Sequence, residues 1–190
     1  TRYFLAGGKH IEFGLRIKPN LDEYSFWSKY IKPMLLRFPN NIQNICFYGF
    51  SEIFNNAVDH SMGTNIYVDA KINNNNNIII TIMDNGIGIF QKIQKALSLE
   101  TTREAILHLS KGKFTTAPSN HTGEGIFFTS RAFDSFSIFS DDLFYTFKNK
   151  DWILSSEKRE SFGRGTFIEM ILSFDSKKIL KEIMNKYLIH

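Results

Sequence analysis

The stretch SEIFNNAVDHS, residues 51–61, combines apolar residues with three polar ones, Glu52, Asn56 and Asp59, at spacings of four and three. On an α-helix these spacings bring the three side chains within about 60° of one another, so a polar stripe runs along an otherwise apolar helix. A helix that packs a core and also carries such a stripe is expected to face a polar ligand.

The composition of the chain predicts a folded protein. Its 190 residues are 43% hydrophobic and 15% aromatic, with 19 phenylalanines, which excludes a disordered chain and fits a single domain over residues 1–190. Lys and Arg (23) only slightly outnumber Asp and Glu (19). The two signs are spread along the chain, so the charge balance favours a mixed solvated surface over direct contact with nucleic acid.

Cysteine content and hydropathy indicate the cell compartment. The single cysteine, Cys46, excludes an internal disulfide and is expected to be a small buried apolar residue. The chain has no run of 18 apolar residues and no signal-peptide pattern, so a soluble, cytoplasmic protein without a membrane partner is expected. Because the chain begins with Thr1 rather than Met, we expect it to be a piece of a longer protein.

Helical patterns dominate the first half of the chain. A strand is predicted over residues 11–17, followed by a helical pattern with Asn20 as N-cap and a kink at Pro33. A second helix is predicted from near Asn41 to Ser61. Residues 65–72 and 78–83 alternate as two strands of a hairpin, joined by the asparagine run 73–77. A weaker helical pattern covers residues 90–110 and a long loop follows.

Strand patterns dominate the second half. A helix is predicted from Gly125 to Phe133, and an amphipathic helix over residues 176–189 closes the chain. The predicted strands between these helices cover residues 135–140, 143–149, 152–156 and 166–174. Together the elements predict an α+β fold, a two-layer sandwich with a mixed, mostly antiparallel sheet and helices on one face.

Two glycine-containing segments carry further polar residues. In MDNGIGI, residues 83–89, an apolar strand ends at Asp84 and is followed by Gly86 and Gly88, so a carboxylate at the end of a strand can approach a ligand closely. In HTGEGIFFTSR, residues 121–131, Gly123 and Gly125 lead into a helix whose first backbone N–H groups can bind phosphate. Either glycine pair alone is a weak signal.

In this order and spacing, the three segments resemble the N, G1 and G2 boxes of the GHKL superfamily, which comprises gyrase B, Hsp90, histidine kinases and MutL. The resemblance covers about residues 40–174 and implies the Bergerat ATP-binding fold. It places the N box at residues 51–61, the G1 box at 83–89, the ATP lid at about 90–122 and the G2 box at 121–131. It implies ATP and Mg²⁺ as cofactors.

The resemblance also implies roles for individual residues. Asn56 is the expected ligand of the Mg²⁺ that bridges the phosphates, and Glu52 is expected to activate water as the catalytic base. Asp59 would line the nucleotide pocket. Asp84 would accept a hydrogen bond from the adenine amino group, with room for the base left by Gly86 and Gly88.

The remaining candidates are open to a structural alternative. GRGTFIEMIL, residues 163–172, resembles the last strand of the family, which makes Thr166 a candidate adenine contact or a locally bonded strand residue. Lys111 and Lys113 in the lid could reach phosphate oxygens, but they fit a solvated lid equally well. His60 and His121 are expected to be structural or solvent-facing. His121 or Thr122 stands where many relatives have an earlier G2 glycine, which puts the phosphate contacts there in question.

Two functions fit this resemblance. One is an ATPase or protein kinase of bacterial regulation, similar to the anti-sigma-factor serine kinases, with a regulatory protein as partner or substrate. The other is a binding module in which ATP changes a partner surface with little or no turnover. The presence of Glu52 favours turnover. A conventional histidine kinase is disfavoured because no phosphoacceptor helix is recognisable, and gyrase-like or MutL-like machines resemble the chain only in their ATP domain. The helix at 176–189 is expected to pack on its own domain rather than to form a homodimer.

Overall fold

One antiparallel sheet organises the fold. The computed structural model describes residues 2–4, 10–19, 21–111, 124–148, 151–155 and 164–188. Its eight strands are β1 (Arg2–Phe4), β2 (His10–Arg16), β3 (Asn65–Ile72), β4 (Asn77–Asp84), β5 (Ser135–Ser140), β6 (Leu143–Lys148), β7 (Asp151–Ser155) and β8 (Thr166–Ser173). They lie in the order β1-β2-β3-β4-β8-β5-β6-β7, and each neighbouring pair is antiparallel.

The buried face of the sheet follows from the alternation of residues along the strands. Side chains directly opposite one another in antiparallel strands point to the same face, so a row of paired residues marks that face across the sheet. One such row is completely apolar or aromatic and buried: Phe13, Val68, Ile82, Ile168, Ile138 and Tyr145. This row is the centre of the hydrophobic core on the sheet side.

The helices form a second layer over this face. Their bounds are α1 (Glu23–Phe26), α2 (Lys32–Leu35), α3 (Asn40–Asn55), α4 (Ile89–Leu97), α5 (Thr102–Lys111), α6 (Gly125–Ala132) and α7 (Leu180–Leu188). Helix α3 packs over β4 and β8, and α6 packs over α3 and β5. At the crossing of α3 and α6, a Cβ at Gly49 would lie 2.3 Å from the Phe133 ring, so a glycine permits the close approach. Cys46 is fully buried in this layer, as predicted.

The first helical region is less regular than its sequence pattern predicts. A π-helical segment, Trp27–Ile31, separates α1 from α2, and Pro33 lies in the first turn of α2, where its missing N–H needs no partner. Asp22 is the N-cap of α1, and its side chain accepts a hydrogen bond of 2.7 Å from the Ser25 N–H. Asn20, the predicted N-cap, lies outside the described residues.

Most other predicted elements match the structure within one or two residues. The pattern over residues 90–110 resolves into α4 and α5, separated at Ser98, which adopts a left-handed conformation with φ 52°. The closing helix begins at Leu180, later than the predicted residue 176. Among the described residues, no helix combines the length and the apolar character that crossing a membrane requires.

Candidate functional site

Asp84 ends the buried face of β4. That face reads Ile78, Ile80, Ile82 and then Asp84, which is 8% exposed. Its Oδ1 atom accepts hydrogen bonds from the backbone N–H groups of Gly86 (2.8 Å) and Thr166 (3.3 Å). Burial raises the pKa of Asp84, and these hydrogen bonds offset the rise only in part. The carboxyl group is therefore fixed in one orientation at the end of the core.

Thr166 and Ser140 extend this polar end across the sheet. Thr166 is buried beside Asp84, and its Oγ1 accepts a hydrogen bond of 3.0 Å from the backbone N–H of Ile89, the first residue of α4. Ser140 lies opposite Thr166 in the β5–β8 ladder and donates a hydrogen bond of 3.1 Å to the Gly165 carbonyl. Asp84, Thr166 and Ser140 are the first polar residues after the apolar rows, and we call them the polar row.

The turn after β4 requires glycine at two positions. A Cβ at Gly86 would lie 2.0 Å from the Ser61 carbonyl oxygen, and the neighbouring Ile87 N–H donates to the same oxygen at 3.0 Å. Gly88 has φ 88°, and a Cβ there would lie 2.5 Å from the Ser140 Oγ. These two glycines thus let the G1 turn pack tightly between the end of the α3 region and β5.

The polar stripe of the opening segment lies at the C-terminal end of α3. Glu52 lies within α3, whereas Asn56 begins a π-helical turn, Asn56–His60, in which a wider turn replaces the predicted α-helical spacing. Glu52 and Asn56 are half-buried and Asp59 is exposed. Among the residues that the structure describes, none forms a hydrogen bond with the Asn56 side chain.

Glu52 faces the start of α6. A Cβ at Gly125 would lie 2.0 Å from the Glu52 Oε2, so the carboxylate lies directly against this glycine and any larger residue here would displace it. Burial raises the pKa of Tyr48, one turn earlier on α3, and the charges of Glu52 and Glu124 act in the same direction. Within the described residues, no side chain caps α6 at its N-cap residue, Glu124, and the first backbone N–H groups of a helix are suited to bind an anion.

Lys92 joins the stripe to Asp84 and was not predicted. Its Nζ donates a hydrogen bond of 2.5 Å to the His60 carbonyl. Burial lowers the pKa of Lys92, and the carboxylates of Asp59 and Asp84 act in the opposite direction. The two carboxylates are 25 residues apart in sequence, and this lysine on α4 bonds to the segment of the first one through His60. No local sequence signal distinguishes it from the other lysines of the predicted lid.

The predicted site residues therefore converge from four parts of the chain. Glu52 lies against Gly125. The carboxylates of Asp59 and Asp84 both act on the pKa of Lys92. Thr166 bonds to the Ile89 N–H, directly after the turn that contains Gly86 and Gly88. Three predictions fall outside the described residues: Gly123, His121 and Lys113. The arrangement provides a buried acceptor at one end, an amide and a carboxylate at the other, and the first backbone N–H groups of α6 beside them.

Comparison with protein families gives an independent result. Residues 44–176 match the family model HATPase_c, described as histidine kinase-, DNA gyrase B-, and HSP90-like ATPase. The matched range contains all four segments that converge at the site. A search of curated proteins found no match to the chain.

Proposed function

Because the chain belongs to the HATPase_c family and is an ATP-binding domain of the GHKL type, we propose that it binds ATP with Mg²⁺ and transfers the γ-phosphoryl group, as an ATPase or a protein kinase of bacterial regulation. The single observation that carries this proposal is the buried Asp84 carboxylate, which two backbone hydrogen bonds hold at the end of β4. An acceptor in that position suits an exocyclic amino group.

The polar row is the proposed adenine end of the site. Asp84 accepts a hydrogen bond from the adenine amino group, and Thr166 supports the base from the neighbouring strand. The two backbone hydrogen bonds to Oδ1 orient the carboxylate before the ligand arrives, so little ordering is left to the binding step. The tight packing of Gly86 and Gly88 keeps the turn beside the base in place.

The end of α3 is the proposed phosphate end. The Asn56 amide oxygen fits Mg²⁺, a hard cation that takes oxygen ligands and keeps several waters and phosphate oxygens around it, so one protein ligand is sufficient. When bound, Mg²⁺ neutralises the charge that develops on the phosphate oxygens. The uncapped N–H groups at the start of α6, next to Gly125, bind the same phosphates, and Asp59 lines the pocket beside Lys92.

Glu52 is the proposed general base. In hydrolysis, a water oxygen attacks the γ-phosphorus and passes a proton to the Glu52 carboxylate, while the bond from that phosphorus to the bridging oxygen breaks and ADP leaves. In a kinase, a hydroxyl group of a protein substrate takes the place of water. The position of Glu52 against Gly125 supports this role, because it puts the carboxylate beside the proposed phosphate-binding N–H groups.

A regulatory role similar to that of the anti-sigma-factor kinases is the finer part of the proposal. Only 40 residues separate β4 from α6, and their described part forms two short helices, α4 and α5, which suits a small regulatory kinase. The partner would then be a regulatory protein that offers a hydroxyl group.

A second candidate is an ATP-dependent switch with little turnover. Leu97 on α4 and Leu107 on α5 are 38% and 61% exposed. Two exposed leucines on neighbouring lid helices suit recognition of a partner whose access changes when ATP orders the lid.

Release of phosphate distinguishes the two candidates. We expect Glu52→Gln to bind ATP as the wild type does and to lower the hydrolysis rate by roughly 10²–10⁴-fold, the range of general-base catalysis. Glu182→Gln, which changes an exposed glutamate on α7, is the matched control and should leave the rate unchanged. No measurable hydrolysis by the wild type, alone or with candidate substrate proteins, would favour the switch, and an unaltered rate in Glu52→Gln would move the base elsewhere.

A further inference from the structure

A second group of polar side chains lies on the outer face of the sheet, away from the helices. His10 and Glu12 are two residues apart on β2, so both point to this face, and Glu12 lies directly opposite Asp69 on β3. One potential ligand atom from each residue lies within 4.8 Å of those of the other two. The antiparallel register of two paired strands, rather than a loop, thus fixes the arrangement.

Charge and burial make this group unusual for a sheet surface. Two carboxylates directly opposite each other repel and destabilise a strand pair unless a cation offsets them. All three side chains are half-buried, and that of Asp69 is only 14% exposed, so water screens the repulsion incompletely. His10 Nε2 is in contact with Asp69 Oδ2, and Lys71 Nζ lies 3.7 Å from the other oxygen, Oδ1.

We propose that His10, Glu12 and Asp69 bind a divalent transition-metal ion of the zinc class. An imidazole nitrogen with two carboxylate oxygens is a mixed ligand set that favours such an ion over Mg²⁺, which prefers oxygen alone. Ligands about 2.1 Å from a zinc ion are at most about 4.2 Å apart, so small side-chain rotations close the site. Three protein ligands leave a position for water.

The metal site is separate from the ATP site. Asp69 pairs with Thr81 of β4, three residues before Asp84, and its side chain points to the opposite face of the sheet from the polar row. A bound ion would join β2 to β3 and hold their register. Lys71 would stay on the outer oxygen of Asp69, where it orients the carboxylate and competes weakly with the metal.

Zinc titration of the nucleotide-free chain without Mg²⁺ tests the proposal. We expect calorimetry, with competition against a chromophoric chelator, to show one equivalent of Zn²⁺ bound. His10→Gln, Glu12→Gln and Asp69→Asn should each weaken this binding roughly tenfold or more. Glu169→Gln is the matched control, because Glu169 is a half-buried carboxylate on the same outer face, paired with Thr81 from the other side. It should bind zinc as the wild type does.

Hydrogen exchange provides a second measurement that an ion pair alone would not change. Zinc should slow exchange of the β2 amides in the wild type and in Glu169→Gln but not in Glu12→Gln, whose near-identical shape should preserve the fold. Absence of saturable zinc binding, or equal binding by the wild type and the three ligand variants, would overturn the proposal. Neither result depends on nucleotide, so each is distinguishable from failure of the ATP site.

Discussion

The middle and the end of the buried sheet face use the same strands for different purposes. Two residues along β4 separate Ile82, in the apolar row, from Asp84, in the polar row, and on β8 Ile168 and Thr166 are related in the same way. Both rows are buried and face the helices. The site therefore acquires its rigidity from the core beside it, and a change in either row should reveal which of the two properties, stability or binding, that row provides.

The largest expected effect is on stability, in the apolar row. Ile82→Ala removes a side chain that is 2% exposed and should lower the free energy of unfolding by about 3 kcal/mol, because the cavity closes only in part. Urea denaturation measures this loss. Calorimetry should show that the folded fraction binds ATP with an affinity near that of the wild type, and a large loss of affinity with little loss of stability would reverse the roles of the two rows.

Asn56→Ala tests the phosphate end and should have the next largest effect. Removal of the amide oxygen should abolish most of the gain in ATP affinity that Mg²⁺ provides, roughly a tenfold change or more, since this is the one proposed protein ligand. Titration with and without Mg²⁺ measures the gain. The control is Asn44→Ala, an exposed asparagine on the same helix. A Mg²⁺-dependent gain that survives in Asn56→Ala would remove the metal assignment.

Thr166→Val should have a smaller effect in the polar row. Valine preserves the strand but leaves the Ile89 N–H without its acceptor, which costs about 1 kcal/mol and loosens the start of α4. Thr146→Val is the matched control, because Thr146 is buried and hydrogen-bonded on the outer face. Both variants should lose similar stability in urea. Weaker nucleotide binding in Thr146→Val as well would show that stability alone controls affinity.

The smallest expected effect is the pH dependence caused by Asp84. The pKa of Asp84 is raised in the folded protein. At pH values between its unfolded-state pKa and its folded-state pKa, the native chain binds more protons than the unfolded chain. The stability of the protein therefore falls as the pH rises through that window. Asp84→Asn removes this titration. Its stability relative to the wild type should therefore be greatest near neutral pH and should shrink as the pH falls towards about 4. Urea denaturation across this range checks the sign, and a difference that grows on acidification would contradict it.

The sequence predicted strands β2 to β8, but not β1, and the position of Asp84 at the end of β4, because local patterns determine these features. Alternation indicates the buried face, and a carboxylate where that face would otherwise continue is visible in the sequence itself. Lys92 and Ser140 were missed because their positions depend on packing between distant elements. Lys92 bonds to the His60 carbonyl, and Ser140 bonds to the Gly165 carbonyl directly before β8. The π-helical turn at Asn56 was also missed, since its residues are compatible with an α-helix.

The most direct test of the account is calorimetric titration of the wild type and of Asp84→Asn with ADP and with a non-hydrolysable ATP analogue, in the presence of Mg²⁺. We expect saturable binding by the wild type and an affinity lower by roughly thirtyfold or more in the variant, because the buried acceptor for adenine loses its charge while the shape is preserved. The variant should be at least as stable as the wild type at neutral pH. Equal affinities of the two proteins would contradict the assignment of Asp84 and, with it, the adenine end of the site.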